Sequence, residues 1–209
     1  MTDYLTEQEQ VQQLKKWVKT YGFTILLGIT IALLITSGWR YWQNRETKTL
    51  MHASQIYDRM LSMRSQNNTE AGAIQANKLL TRYPKTSYAQ MAAFLLARDA
   101  VLQKDYTKAK AQLHWVIEHS SHMSMREIAR IRIARILINE NQADAALDLL
   151  KTVEDHHYIG LIDEVKGDAY LLKNDKKSAH DAYGLALKEL PNAEVSRPLL
   201  EMKFNNVAM

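Results

Sequence analysis

Between Lys19 and Arg40 the chain runs for twenty residues, TYGFTILLGITIALLITSGW, without a charge. No other stretch limits the fold so sharply. At ~1.5 Å of rise per residue, a helix of that length is about 30 Å long, the thickness of a bilayer's hydrocarbon core. Trp17 and Tyr21 stand at one end and Trp39, Tyr41 and Trp42 at the other, where amphipathic rings suit the headgroup level. Arg40 has an aliphatic stem that can follow the apolar zone while its guanidinium stays in water. Two rival readings fit less well. A buried core helix is seldom uncharged for so long. A cleaved signal peptide has an apolar region of roughly 7–15 residues that ends in small side chains, whereas here the run is longer and bulky aromatics follow it. The expectation is an uncleaved signal anchor over residues 20–42, preceded by a tail of residues 1–19.

Charge does not orient the anchor. Lys15, Lys16 and Lys19 precede the apolar run, and Arg40, Arg45 and Lys48 follow it, so counting positive residues at the two ends gives a tie. A short polar tail, a basic cluster and then an apolar run is nevertheless how a signal anchor begins when its N-terminus stays in the cytoplasm. Residues 43–209 are then expected on the far side of the membrane.

Those residues read as helix. Only 7 Gly, 3 Pro and 3 Phe occur in the chain, while Ala, Leu, Lys, Gln and Glu abound, a balance that favours helix over sheet. Cysteine is absent, which removes disulfides, zinc–cysteine sites and thiol catalysis but leaves the redox compartment open. The net charge of +4 is spread among interspersed charges with no dense basic block, so no nucleic-acid partner is expected.

Self-similarity at 33–37 residues gives the architecture. In GDAYLLKNDKKSAHDAYGLALKELP, Gly167, Tyr170, Ala179, Tyr183, Ala186 and Pro191 follow the tetratricopeptide spacing, in which small residues let two antiparallel helices approach. Asp163 and Lys166 stand where that pattern has Trp and Leu. Ala134, Leu137, Ala146, Leu150 and Val153 repeat the spacing, as do Ala97, Ala100, Ala109, Leu113 and Val116. The polar stretches QKDYT, NENQ and KNDK mark the turns. A more diverged pair spans about Thr47 to Tyr83, with Tyr83-Pro84 ending one helix and Ser87 capping the next. The predicted fold is all-α: a single N-terminal transmembrane helix, then a tetratricopeptide-like solenoid of about four helix pairs over residues 43–209. An irregular helical bundle is the plainer alternative.

Catalytic chemistry finds no footing. No G-x-G-x-x-G, P-loop, G-x-S-x-G or H-E-x-x-H occurs. His119 and His122 could share a helix face, but no third ligand stands at metal spacing, and His156-His157 falls in a turn. No enzyme activity, cofactor or metal is expected. Binding is better placed on the concave face, which the first helix of each pair lines. That assigns Met91, Phe94, Leu95 and Arg98 from one repeat, Ile131, Arg132, Arg135 and Ile138 from the next, and Glu164, Asp168 and Leu171 from the last. Apolar anchors with flanking charges suit a protein segment.

Several stretches also resemble a known family. Gly38-Trp39-Arg40-Tyr41-Trp42, QADAAL at 142–147, GDAYLLKNDKKSA at 167–179 and MKFNN near the C-terminus are similar to the YfgM family of Gram-negative bacteria, along the whole chain. The resemblance implies a single-pass inner-membrane protein with its repeat domain in the periplasm. It also implies an ancillary subunit of the SecYEG translocon, partnered with the membrane-anchored chaperone PpiD and with newly exported polypeptides. It brings no catalytic residues. A structural scaffold for another envelope complex is the alternative. The orientation is testable: a C-terminal reporter active only after export should work, and an active cytoplasm-only reporter there would reverse the topology.

Overall fold

The computed structural model describes residues 7–154, 156–189 and 197–207. All the regular elements among them are helical, and the chain divides into two compact units, Met1–Met51 and His52–Met209. Helix α1, Glu7–Ser65, runs through the apolar segment and on into the first repeat without a break at residue 42. The following helices are α2 Thr69–Arg82, α3 Ser87–Leu102, α4 Tyr106–His119, α5 Met123–Asn139, α6 Ala143–Leu150, α7 Ile159–Leu172, α8 Lys176–Glu189 and α9 Arg197–Asn206.

In the first unit, α1 is long and apolar enough to cross a membrane, and none of its most apolar window is buried by protein. A stretch apolar all round and unburied by protein suits lipid rather than water. Two hydroxyls in its apolar run are internally satisfied: Thr30 Oγ1 donates to the Leu26 carbonyl at 2.8 Å and Thr36 Oγ1 to that of Ala32 at 2.9 Å. In hydrocarbon a polar group needs such a partner, because water is absent.

In the second unit one turn recurs four times. Asn67, Lys104, Asn141 and Asn174 each adopt a positive φ of 60–65°, the left-handed conformation that ends a helix. The residue after each donates its N–H five residues back: Asn68 to Met63 at 3.0 Å, Asp105 to Ala100 at 2.9 Å, Gln142 to Leu137 at 2.8 Å and Asp175 to Tyr170 at 3.0 Å. That same residue then opens the next helix. The side chains of Asn68, Asp105 and Asp175 accept from the N–H three residues on, at 3.1, 2.9 and 3.0 Å, as N-caps do. The turns at QKDYT, NENQ and KNDK therefore fall where the sequence placed them. The expected cap at Ser87 does not: Thr86 takes that role, its Oγ1 accepting from Ala89 N at 3.3 Å, and Ser87 is the first helical residue.

Counted from each turn, the same register positions meet in the core. Five residues on come Gly72, Ala109, Ala146 and Ala179, all buried. Seven before and nine after lie Met60 with Ala76, Ala97 with Leu113, and Ala134 with Leu150, each pair within one apolar cluster. The fourth pair is Gly167 with Tyr183, where a Cβ on Gly167 would run into the fully buried tyrosine ring. The departures at Asp163 and Lys166 are accommodated by a mutual ion pair of 2.9 Å. Helix α9 closes the unit, with Leu200 and Val207 packing against Ala179, Tyr183 and Ala186 of α8.

Overpacking such contacts costs on the order of 1–3 kcal/mol. Ala146→Leu and Gly167→Ala should each lower the thermal unfolding temperature of the detergent-solubilised chain. Adding Tyr183→Leu to Gly167→Ala should restore part of the loss, since it recreates the alanine–leucine pairing of the two preceding repeats. Unchanged melting of Ala146→Leu would contradict the register.

Candidate functional site

A groove of about 560 Å³ opens in the second unit between the first helices of successive pairs. Phe94, Leu95 and Arg98 come from α3 and Arg132, Arg135 and Asn139 from α5, while Tyr57 of α1 and Leu113 of α4 also line it. Helical spacing explains the convergence: Met91, Phe94, Leu95 and Arg98 share one face of α3. Across the groove the Arg132 guanidinium lies over the Phe94 ring, 4.5 Å from its centre, a cation–π contact.

Compensation of the groove's cations is uneven. Arg98 approaches Asp99 at 3.6 Å, but that carboxylate is already held by Arg64 through two bonds of 2.5 and 2.7 Å. The Arg64 fork holds the Asp99 carboxyl below the usual carboxylate range, against the opposing effect of burial. Arg135 meets Glu164 at 3.1 Å, yet Glu164 also binds Lys203 at 2.9 Å. Arg132 has no ion-pair partner among the described residues. Burial, and then the neighbouring Arg135, shift its guanidinium downwards.

The α7 end of the face is different. Lys203 of α9 reaches Glu164 and Asp168, at 2.9 and 2.8 Å. Burial lowers the lysine's affinity for its proton, and the two carboxylates outweigh that effect and hold it up. The Tyr183 hydroxyl donates to Asp168 at 2.7 Å; burial first and Asp168 second push it up, so it remains a donor.

The structure thus brings Met91, Phe94, Leu95, Arg98, Arg132 and Arg135 together and places Glu164 beside them. Ile131 is only 4% exposed and packs with Ala146, Leu150, Ile162 and Val165, so it belongs to the core and not to the groove. Ile138 packs against the same cluster, and Leu171 is exposed. Tyr57 and Lys203 were not anticipated. Tyr57 stands ten residues before its turn, as Phe94 does, so the turn register was the signal that locates it. The histidines form no site: His119 ends α4, with Nδ1 at 2.9 Å from the Trp115 carbonyl, while His122 caps α5 on a different helix. No group of three metal-ligating side chains occurs among the described residues.

The tetratricopeptide repeat-like domain family matches residues 15–209. The chain belongs to that family. Three full-length relatives carry the name "Ancillary SecYEG translocon subunit". That of Escherichia coli (strain K12) is 27% identical over 209 residues, covering 100% of both chains. That of Neisseria gonorrhoeae is 28% identical over 99% of this chain and 100% of its own. That of Haemophilus influenzae is 26% identical over 97% and 98%. The resemblance carried by GWRYW and MKFNN therefore extends along the whole chain. Neither the family nor these names carry an enzyme activity; the fold is one that binds proteins.

At the anchor, Trp17 and Tyr21 are exposed with ring centres 6.0 Å apart, and Trp39 and Trp42 are exposed at 6.1 Å. Arg40 is exposed between those two, and the Tyr41 side chain lies outside the described residues.

The Arg64–Asp99 clip predicts an acid limit. A depressed carboxyl contributes stability above its unfolded value of about 3.9 and loses it as pH falls through the folded one. Melting temperature should drop on acidification through that window. Asp99→Ala should cost about 1.5–3 kcal/mol at neutral pH and flatten the acid drop, which a pH series of thermal melts would check.

Proposed function

We propose that this protein is a membrane-tethered protein-binding module that works as an ancillary part of the Sec translocon, with residues 20–42 as its anchor. In this reading the N-terminus is cytoplasmic and the repeat domain periplasmic. The domain links the translocon to a PpiD-type membrane-anchored chaperone and to newly exported polypeptides. One observation carries the proposal: the full-length match to relatives named as translocon subunits, anchor and repeats together. The groove supports it physically, because Met91, Phe94 and Leu95 offer apolar seats beside three guanidiniums, a composition that binding hot spots favour. Tethering adds local concentration near a membrane-embedded partner.

Crosslinking in membranes tests the reading. A photoreactive residue at Met91 should give adducts with translocon subunits, a membrane-anchored chaperone or exported chains. Adducts confined to cell-wall or division proteins would instead support an envelope scaffold. Phe94→Ala and Arg135→Ala should each lower partner capture by roughly 30-fold, the equivalent of about 2 kcal/mol, with a melt of each variant separating lost capture from the packing Phe94 also gives the core. If both variants capture normally while exchange of the anchor abolishes capture, recognition lies in the membrane.

A further inference from the structure

The concave face changes sign along its length, and at its basic end one cation, Arg132, is left without an ion pair among the described residues while Arg98 and Arg135 share carboxylates with other cations. At the α7 end, Glu164 and Asp168 receive Lys203 from the chain's own last helix. At the α3–α5 end, Arg98, Arg132 and Arg135 surround an apolar floor, and the carboxylates within reach are already engaged. Asp99 is held by the two-pronged Arg64 contact, Glu164 is shared between Arg135 and Lys203, and Arg132, without an ion-pair partner among the described residues, lies over the Phe94 ring.

We infer that the groove's open end takes a partner segment in which an apolar side chain is flanked by acidic residues. The apolar group would seat against Met91, Phe94 and Leu95, and the acidic groups would meet Arg132 and its neighbours. The choice of occupant follows from complementarity. Guanidinium–carboxylate bonds are planar and two-pronged, and they strengthen as a site loses water. A basic segment would add like charge beside the unpaired Arg132, which costs binding and selects against it. Arg132 is central, because it touches the aromatic wall and leaves its N–H groups available to a carboxylate. The inference rests on the protein-binding reading above and specifies its chemistry.

The test uses the full chain in detergent and three fluorescent peptides blocked at both ends. Each has a central Leu-Phe pair, flanked by glutamates, by glutamines or by lysines. The glutamate peptide should bind best, and its affinity should fall as salt rises. Arg132→Gln should weaken it by about tenfold, roughly one charge-assisted bond, and leave the glutamine peptide unchanged. Arg132→Glu should shift preference towards the lysine peptide. A melting measurement on each variant separates lost binding from lost folding. Equal binding of the three peptides, or an Arg132→Glu protein with unaltered preference, overturns the inference. If charge preference is absent but wild type still yields translocon adducts from Met91, the inference fails and the proposed function stands. Selective peptide binding without any such adducts gives the reverse outcome.

Discussion

Each helix pair of the second unit depends on one residue forced to positive φ. Within each pair the chain turns back through that conformation, and here it is supplied by Asn67, Lys104, Asn141 and Asn174 rather than by glycine. Asparagine tolerates it better than most side chains; lysine does so at some cost. The geometry then fixes much else. The N–H after the left-handed residue returns to the helix just ended, and its side chain, in three of the four turns, caps the helix just begun. Two helix ends are thereby satisfied by two adjacent residues. Each small residue five positions on is held against the partner helix, so the turn sets which side chains face the core and which are left for the groove.

Much of this was legible because it is periodic. The polar turns, the alanine series and the uncharged run each obey a local rule that neighbouring residues cannot disguise. What escaped was whatever depended on a departure from the period. Ile131 stands in the same register as Tyr57 and Phe94, yet it is buried. Helix α6 has eight residues where α4 has fourteen, and α7 lies against α5, so Ile162 and Val165 cover a position that is open one repeat earlier. Lys203 escaped for another reason. It belongs to a helix with no counterpart among the repeats, so no alignment of units could pair it with Glu164.

The site was legible in composition and less so in electrostatics. That Phe94 and the arginines share a face follows from helical spacing. That Asp99 is spoken for by Arg64, thirty-five residues earlier, depends on how the end of α1 meets α3, and spacing within one helix does not reveal it. Sequence could therefore name the charges without showing which of them remain to be answered by something else.

The pairs Met60–Ala76, Ala97–Leu113, Ala134–Leu150 and Gly167–Tyr183 carry a consequence for inheritance. Each divides a similar volume between two helices, and the division swings from large-with-small to the extreme of glycine with tyrosine. Packing at such a site constrains a sum, so a change in one member is best tolerated when the other follows. Repeats built this way shed recognisable residues while keeping their shape. The relatives stand at about a quarter identity, 27% over all of this chain and 24% over 90% of it, a divergence that compensated changes of this kind leave room for. Shared volume of this kind ties the two members of a pair to each other more closely than it ties either to one residue type.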